Sequence, residues 1–123
     1  MQLEIQKYLF DIQISIDSIH EYIGEQRNFN VYQENKQLRR SVERELEIIG
    51  EAVSKILKID TDFPISNARK IVSLRNRVIH AYDSVDNETV WSIVINHLPK
   101  LKEEVVKLID PIEDRTGGGG VSS

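Results

Sequence analysis

Between Leu3 and Ile23, the residues Leu9, Ile12, Ile16, Ile19 and Ile23 recur at alternating spacings of three and four, which lays one apolar stripe along a helix. The rhythm returns in Leu38, Val42, Leu46, Ile49, Val53 and Ile56, and again in Leu101, Val105 and Leu108. No alternating run is long enough for a convincing strand. Such a chain buries its apolar residues by laying helix against helix, so the sequence predicts an all-α fold: an up-and-down bundle of four to five helices. The 123 residues suffice for one core and are too few for two comfortable ones.

The boundaries follow from local chemistry. Gly24 is a natural stop for the first helix. Asn30 with Gln33 resembles a capping box that would start a second helix running to about Leu57. Gly50 sits inside that helix at a cost of roughly 1 kcal/mol relative to Ala, which suggests close approach of another backbone. Residues 58–65 form a connector with Asp60, Asp62 and Pro64, and Ser66 can cap a third helix. Asp86 can cap a fourth, beginning near Asn87 and carrying Trp91, Val94, Ile95 and Leu98. Pro99 leaves two possibilities, a kinked long helix or a break before Lys100 to Ile109. The pattern ends after Pro111, so residues 1–112 read as a single helical domain and 113–123 as a flexible Gly/Ser-rich tail.

Composition narrows the function. The chain has no cysteine, which excludes disulfides, thiolate zinc sites and thiol nucleophiles. No basic leader and no apolar run near eighteen residues is visible, and a soluble cytoplasmic protein away from membranes is expected. A net charge of -4 argues against a general nucleic-acid binder held by overall charge. Glycine-rich phosphate loops, G-x-S-x-G and H-E-x-x-H are missing from the sequence, which disfavours an NTPase, a serine hydrolase and a zinc protease. Glu43, Glu47 and Glu51 recur every four residues, but one stripe seldom supplies the converging oxygens a hard cation needs, and pairing with Arg39, Arg40 or Arg44 is the expected role. His20 and His97 have no partner at ligand spacing and read as surface or helix-packing residues.

The chemistry concentrates in Arg75-Asn76-Arg77-Val78-Ile79-His80-Ala81-Tyr82. An arginine offers a fixed fork of donors suited to phosphate, and a histidine near its ordinary pKa can take or give a proton at neutral pH. Those groups can cleave a phosphodiester without a metal or cofactor. On a helical wheel Ile71, Leu74, Val78, Ala81 and Val85 share the packed face, while Asn76 and His80 lie roughly 160° from Val78. Val72 and Ile79 project beside this polar pair, so the outer face should be covered, most simply by a second copy of the chain. Arg75 and His80 diverge by roughly 140° on a straight helix, which predicts a composite site completed at a dimer seam. Arg69, Lys70, Arg75 and Arg77 form a basic cluster that could guide RNA phosphates.

The motif of Arg, four residues, His, one residue, Tyr resembles the signature of HepT-like toxins of the HEPN family, the higher-eukaryote and prokaryote nucleotide-binding domains. The run Arg44-Glu45-Leu46-Glu47-Ile48-Ile49-Gly50-Glu51-Ala52 resembles that family's second-helix segment, and Leu74 to His80, Val85-Asp86, Val90-Trp91, Leu98-Pro99 and Leu101 continue the likeness in order. The likeness covers roughly Phe29 to Ile109. One departure is Pro64-Ile65 leading to Ser66, where many relatives have a tryptophan soon after the proline. The resemblance implies a homodimeric helical bundle with metal-independent endoribonuclease activity, acting as a toxin paired with a minimal nucleotidyltransferase antitoxin. It implies Arg75 and His80 as catalytic residues, Asn76 and Arg77 in support, and Tyr82 as the acceptor when the antitoxin attaches AMP. A noncatalytic HEPN module that docks a nucleotidyltransferase and is AMP-modified at Tyr82 is the alternative.

Overall fold

The computed structural model describes residues 3–65, 73 and 87–117, with side chains as far as residue 109. Helix α1 (Leu3–Ile23) buries Leu9, Ile12, Ile16 and Ile19 as the spacing predicts and adds Ile5 and Ser15, while Ile23 at its end is partly buried. The helix stops where Gly24 takes a φ of +73° and its N–H donates to the His20 carbonyl at 3.0 Å. No atom lies within 4 Å of where a Cβ would stand, so the left-handed backbone, not crowding, favours glycine there.

The start of the second helical region differs from the expected capping box at Asn30 and Gln33. Asn28 is the cap of a short helix α2 (Phe29–Glu34), its side-chain oxygen accepting from the Val31 N–H at 3.2 Å. The chain then breaks at Asn35, whose oxygen accepts from the Leu38 N–H at 3.0 Å and starts helix α3 (Lys36–Ile59). Asn35 also closes α2, since its own N–H reaches the Val31 carbonyl at 3.1 Å. The reason is Tyr32. In one unbroken helix its side chain would sit about 90° from the centre of the α3 stripe. With the break it is fully buried, 5.2 Å from the ring of Trp91.

Helix α3 buries Val42, Leu46, Ile49, Val53 and Ile56 as expected, adds Ala52, and holds Gly50 inside the packed face. It ends two residues beyond the predicted Leu57, where Asp60 turns extended. The Asp60 side chain then accepts from the Asp62 N–H at 3.1 Å, and the connector leads to a buried Ile65.

Helix α4 (Asn87–Ser92) begins at the predicted residue and passes through a wide π-helical turn (Ile93–His97) into helix α5 (Leu98–Gly117). Of the two outcomes open at Pro99, the chain takes the continuous one. Proline has no N–H for the Ile95 carbonyl four residues back, and its ring would press on that carbonyl. The turn widens so that the Leu98 N–H donates to the Ile93 carbonyl, five residues back. Helix α5 also runs through Pro111 to Gly117, past the end of the apolar pattern, because one proline removes a single donor without ending the helix.

Helices α1 and α3 pack as an antiparallel pair, and α5 lies against α1. Lys55 stands 5.7 Å over the Tyr8 ring, whereas the Tyr22 hydroxyl donates to Glu45 at 3.1 Å, so the two helices run in opposite directions. Lys102 donates to Asp17 at 2.7 Å and fixes α5 beside the middle of α1. These exposed contacts set register and contribute little to stability, because solvent competes for and screens them. The core beneath them carries the fold: Leu9, Ile12, Leu46, Ile49, Val94, Leu98 and Val105 belong to one continuous cluster. No helix among the described residues is long and apolar enough to cross a membrane.

Candidate functional site

The motif residues Arg75, Asn76, Arg77, His80 and Tyr82 lie outside the described residues, as do Arg69, Lys70 and the proposed caps Ser66 and Asp86. Ser73, two residues before Arg75, has helical backbone and is exposed. Its wheel position lies roughly 140° from Val78, on the outward side of the predicted packed face.

The described helices fix where the chain bearing the motif leaves and returns. It leaves at Ile65, beyond the C-terminal end of α3, and re-enters at Asn87, the first residue of α4, whose Trp91 packs on α2. Trp91 anchors that return, with its ring 5.8 Å from Phe29 and 5.2 Å from Tyr32. A groove of about 290 Å³ runs along this cluster, lined by Phe29, Glu88, Trp91, Ser92, Ile95 and Asn96. Asn96 donates to the Ser92 hydroxyl at 3.2 Å, holding both polar side chains on one wall.

A second groove, of about 520 Å³, lies at the first turns of α3 and is lined by Lys36, Gln37, Arg40, Ser41 and Arg44. Sequence reasoning missed it, although Lys36, Arg40 and Arg44 recur every four residues and so share one face of the helix. The expectation that Arg39, Arg40 and Arg44 pair with Glu43, Glu47 and Glu51 is not met among the described residues. Glu51 pairs instead with Lys55 at 3.5 Å, and Arg39 donates to the Gln33 carbonyl. The carboxyl of Glu43 is pushed above its usual range by burial, with Arg39 and Arg40 opposing that shift and Glu47 adding to it. No group of three His, Cys, Asp or Glu that could hold a metal occurs among the described residues.

Both described histidines are half-buried packing residues. His20 Nε2 and His97 Nδ1 are shielded from solvent and lack a hydrogen-bond partner. The His20 imidazole is held below its ordinary value of 6.5, first by burial and then by the charges of Arg27 and Lys102, with Asp17 opposing. The unfolded chain therefore takes up this proton at a higher pH than the folded one, and acid favours unfolding as pH falls below about 6.5. Thermal unfolding followed between about pH 7.5 and 5.5 should show the midpoint falling towards acid, with a shallower fall in His20→Gln.

With the geometry in hand, the comparisons assign the family. Residues 12–108 match the model of the family described as "Ribonuclease HepT-like", and the chain belongs to that family. It is 33% identical to a Methanocaldococcus jannaschii protein named "Putative RNase", over 91% of this chain and 97% of the relative. A second protein of that name from the same organism is 34% identical over 91% of this chain and 93% of its own length. A Thermococcus cleftensis protein named "Probable ribonuclease HepT" is 35% identical over 88% of this chain and 98% of the relative. No solved structure matches the chain. The all-α bundle is the HEPN-like architecture that the sequence predicted.

Proposed function

We propose that the protein is a metal-independent endoribonuclease whose catalytic groups are Arg75 and His80, working at a homodimer cleft as the toxin of a pair with a minimal nucleotidyltransferase antitoxin. The observation that carries this reading is the family match over residues 12–108, which encloses the complete Arg75-x4-His80-x-Tyr82 motif. In the reaction the ribose 2′-oxygen attacks the adjacent phosphorus while the bond from phosphorus to the 5′-oxygen breaks. His80 takes the 2′-hydroxyl proton or delivers one to the leaving 5′-oxygen, and Arg75 neutralises charge on the phosphate. Asn76, one turn before His80, orients the imidazole, and Arg77 adds positive charge beside the substrate. The products are a 2′,3′-cyclic phosphate and a free 5′-hydroxyl.

Incubation of the purified chain with single-stranded RNA in excess EDTA is the direct test. Cleavage should persist undiminished, leave 2′,3′-cyclic phosphate ends, and fail on a strand whose ribose at the cut site lacks the 2′-hydroxyl. Loss of cleavage in EDTA, restored by a divalent cation, would sink the metal-independent mechanism.

The acidic balance of the chain favours a second reading, a noncatalytic module that docks a nucleotidyltransferase and accepts AMP on Tyr82. It predicts a mass gain of one AMP group on incubation with the transferase and ATP, absent in Tyr82→Phe, in a chain that cleaves no RNA.

A further inference from the structure

We propose that Lys36, Arg40 and Arg44 form a track that holds successive phosphates of a single RNA strand. The proposal rests on the ribonuclease reading above and adds to it a substrate-binding surface separate from the cleavage motif. The three cations stand one above the next on α3, with Cα atoms about 6 Å apart along the axis, close to the repeat of neighbouring phosphates on an extended strand. Gln37 and Ser41 line the same groove and bring neutral donors to the phosphate oxygens between the charges.

The groove is an electrostatic exception within this chain. The protein carries a net charge of -4, yet among the described residues no carboxylate lines this surface. Lys55 and Lys102 are engaged with Glu51 and Asp17, whereas none of Lys36, Arg40 and Arg44 pairs with an acid among the described residues. Arg40 acts electrostatically on the half-buried Glu43 carboxyl without forming an ion pair with it, and three cations at a regular repeat suit a polymer with regularly repeated charge. An acidic protein partner would be expected to meet apolar anchors as well, and the described residues of this lining provide none. The half-buried rings of Phe29 and Trp91 lie at the same end of the bundle, because α2 leads directly into Lys36. Their faces are of the kind on which unpaired bases stack.

The test uses the full chain carrying His80→Ala, so that RNA stays intact, and follows a fluorescent single-stranded RNA by anisotropy from about 50 to 200 mM salt. Replacing the row as K36Q/R40Q/R44Q should weaken binding at least tenfold at low salt. Because each phosphate contact contributes about 0.7 to the salt slope on a single strand, the slope should fall by about 2. A charge-preserving K36R/R40K/R44K variant should keep both affinity and slope. A control of equal charge change at exposed sites elsewhere, K7Q/K58Q/K100Q, should bind close to the parent. All are surface changes, and unaltered thermal midpoints would exclude misfolding as the cause.

Equal affinity of the glutamine triple and the parent overturns the track, as does an equal loss in the distant control. Binding of polyglutamate that depends on the row as strongly as RNA binding does overturns it too, since the row would then be a docking surface for acidic protein. Row-dependent RNA binding in a parent chain, with His80 intact, that cleaves no RNA would leave the track standing and defeat the ribonuclease reading.

Discussion

Replacing Tyr32 with alanine should lower the unfolding free energy by about 3–5 kcal/mol, whereas Tyr32→Phe should leave it unchanged or slightly raise it. Tyr32 is wholly buried, and its ring packs between Phe29 on the same short helix and Trp91 on α4, at 6.4 and 5.2 Å. Truncation removes the ring that ties α2 to α4 and opens a cavity that two partly buried aromatics cannot close. The hydroxyl behaves differently. It is buried without a hydrogen-bond partner among the described residues, and burial together with the nearby Glu43 carboxylate pushes its pKa well above the usual phenol value. Removing an unsatisfied buried hydroxyl costs no hydrogen bond, so phenylalanine keeps the packing and relieves a desolvation penalty. Denaturant titration with a constant m-value measures both variants. A loss beyond about 1 kcal/mol in Tyr32→Phe would show that the hydroxyl is hydrogen-bonded in solution, contrary to this account.

The same residue shows how far periodicity carries and where it stops. Spacing placed Leu9, Ile12, Ile16, Val42, Leu46, Ile49, Val94 and Val105 in the core because burial on a helix depends on a residue's own angle, and the angle follows from its number. Tyr32 was missed because its burial depends on a break in the helix. Asn28, Asn30 and Asn35 have the same capping chemistry, and tertiary packing against Trp91 selects the first and third. Pro99 was flagged as a discontinuity, yet the widened turn that absorbs it depends on which backbone carbonyls the packed helix can still satisfy. At the candidate site, residue types and order identified the family, as the match over 12–108 bears out. The cationic groove on α3 was hidden by an assumption about partners, since arginines beside glutamates at helical spacing suggested ion pairs that the described residues do not form.

The divergence of Arg75 and His80 on the wheel leads to the sharpest functional expectation. Arg75→Ala and His80→Ala should each reduce RNA cleavage by about 10²- to 10⁴-fold, since in the proposed mechanism each removes a group acting on the reacting atoms. If the site is assembled across two subunits, the inactive variants should rescue each other. A mixed dimer then holds one site with its arginine from the His80→Ala chain and its histidine from the Arg75→Ala chain, while the other site lacks both. Random exchange makes about half of the dimers mixed, so equal mixing should restore about a quarter of parental activity. If both groups instead serve the same phosphate from one chain, every site in the mixture lacks one of them and mixing restores nothing. Co-expression of the two variants, or subunit exchange before the assay, separates these outcomes by a factor of more than ten. A double Arg75→Ala/His80→Ala chain mixed with parent sets the baseline. It can only dilute intact sites under the composite arrangement, because a mixed dimer then has each site short of one group, and activity should fall to about a quarter. Under the single-chain arrangement each mixed dimer keeps one intact site, and half of the activity should remain.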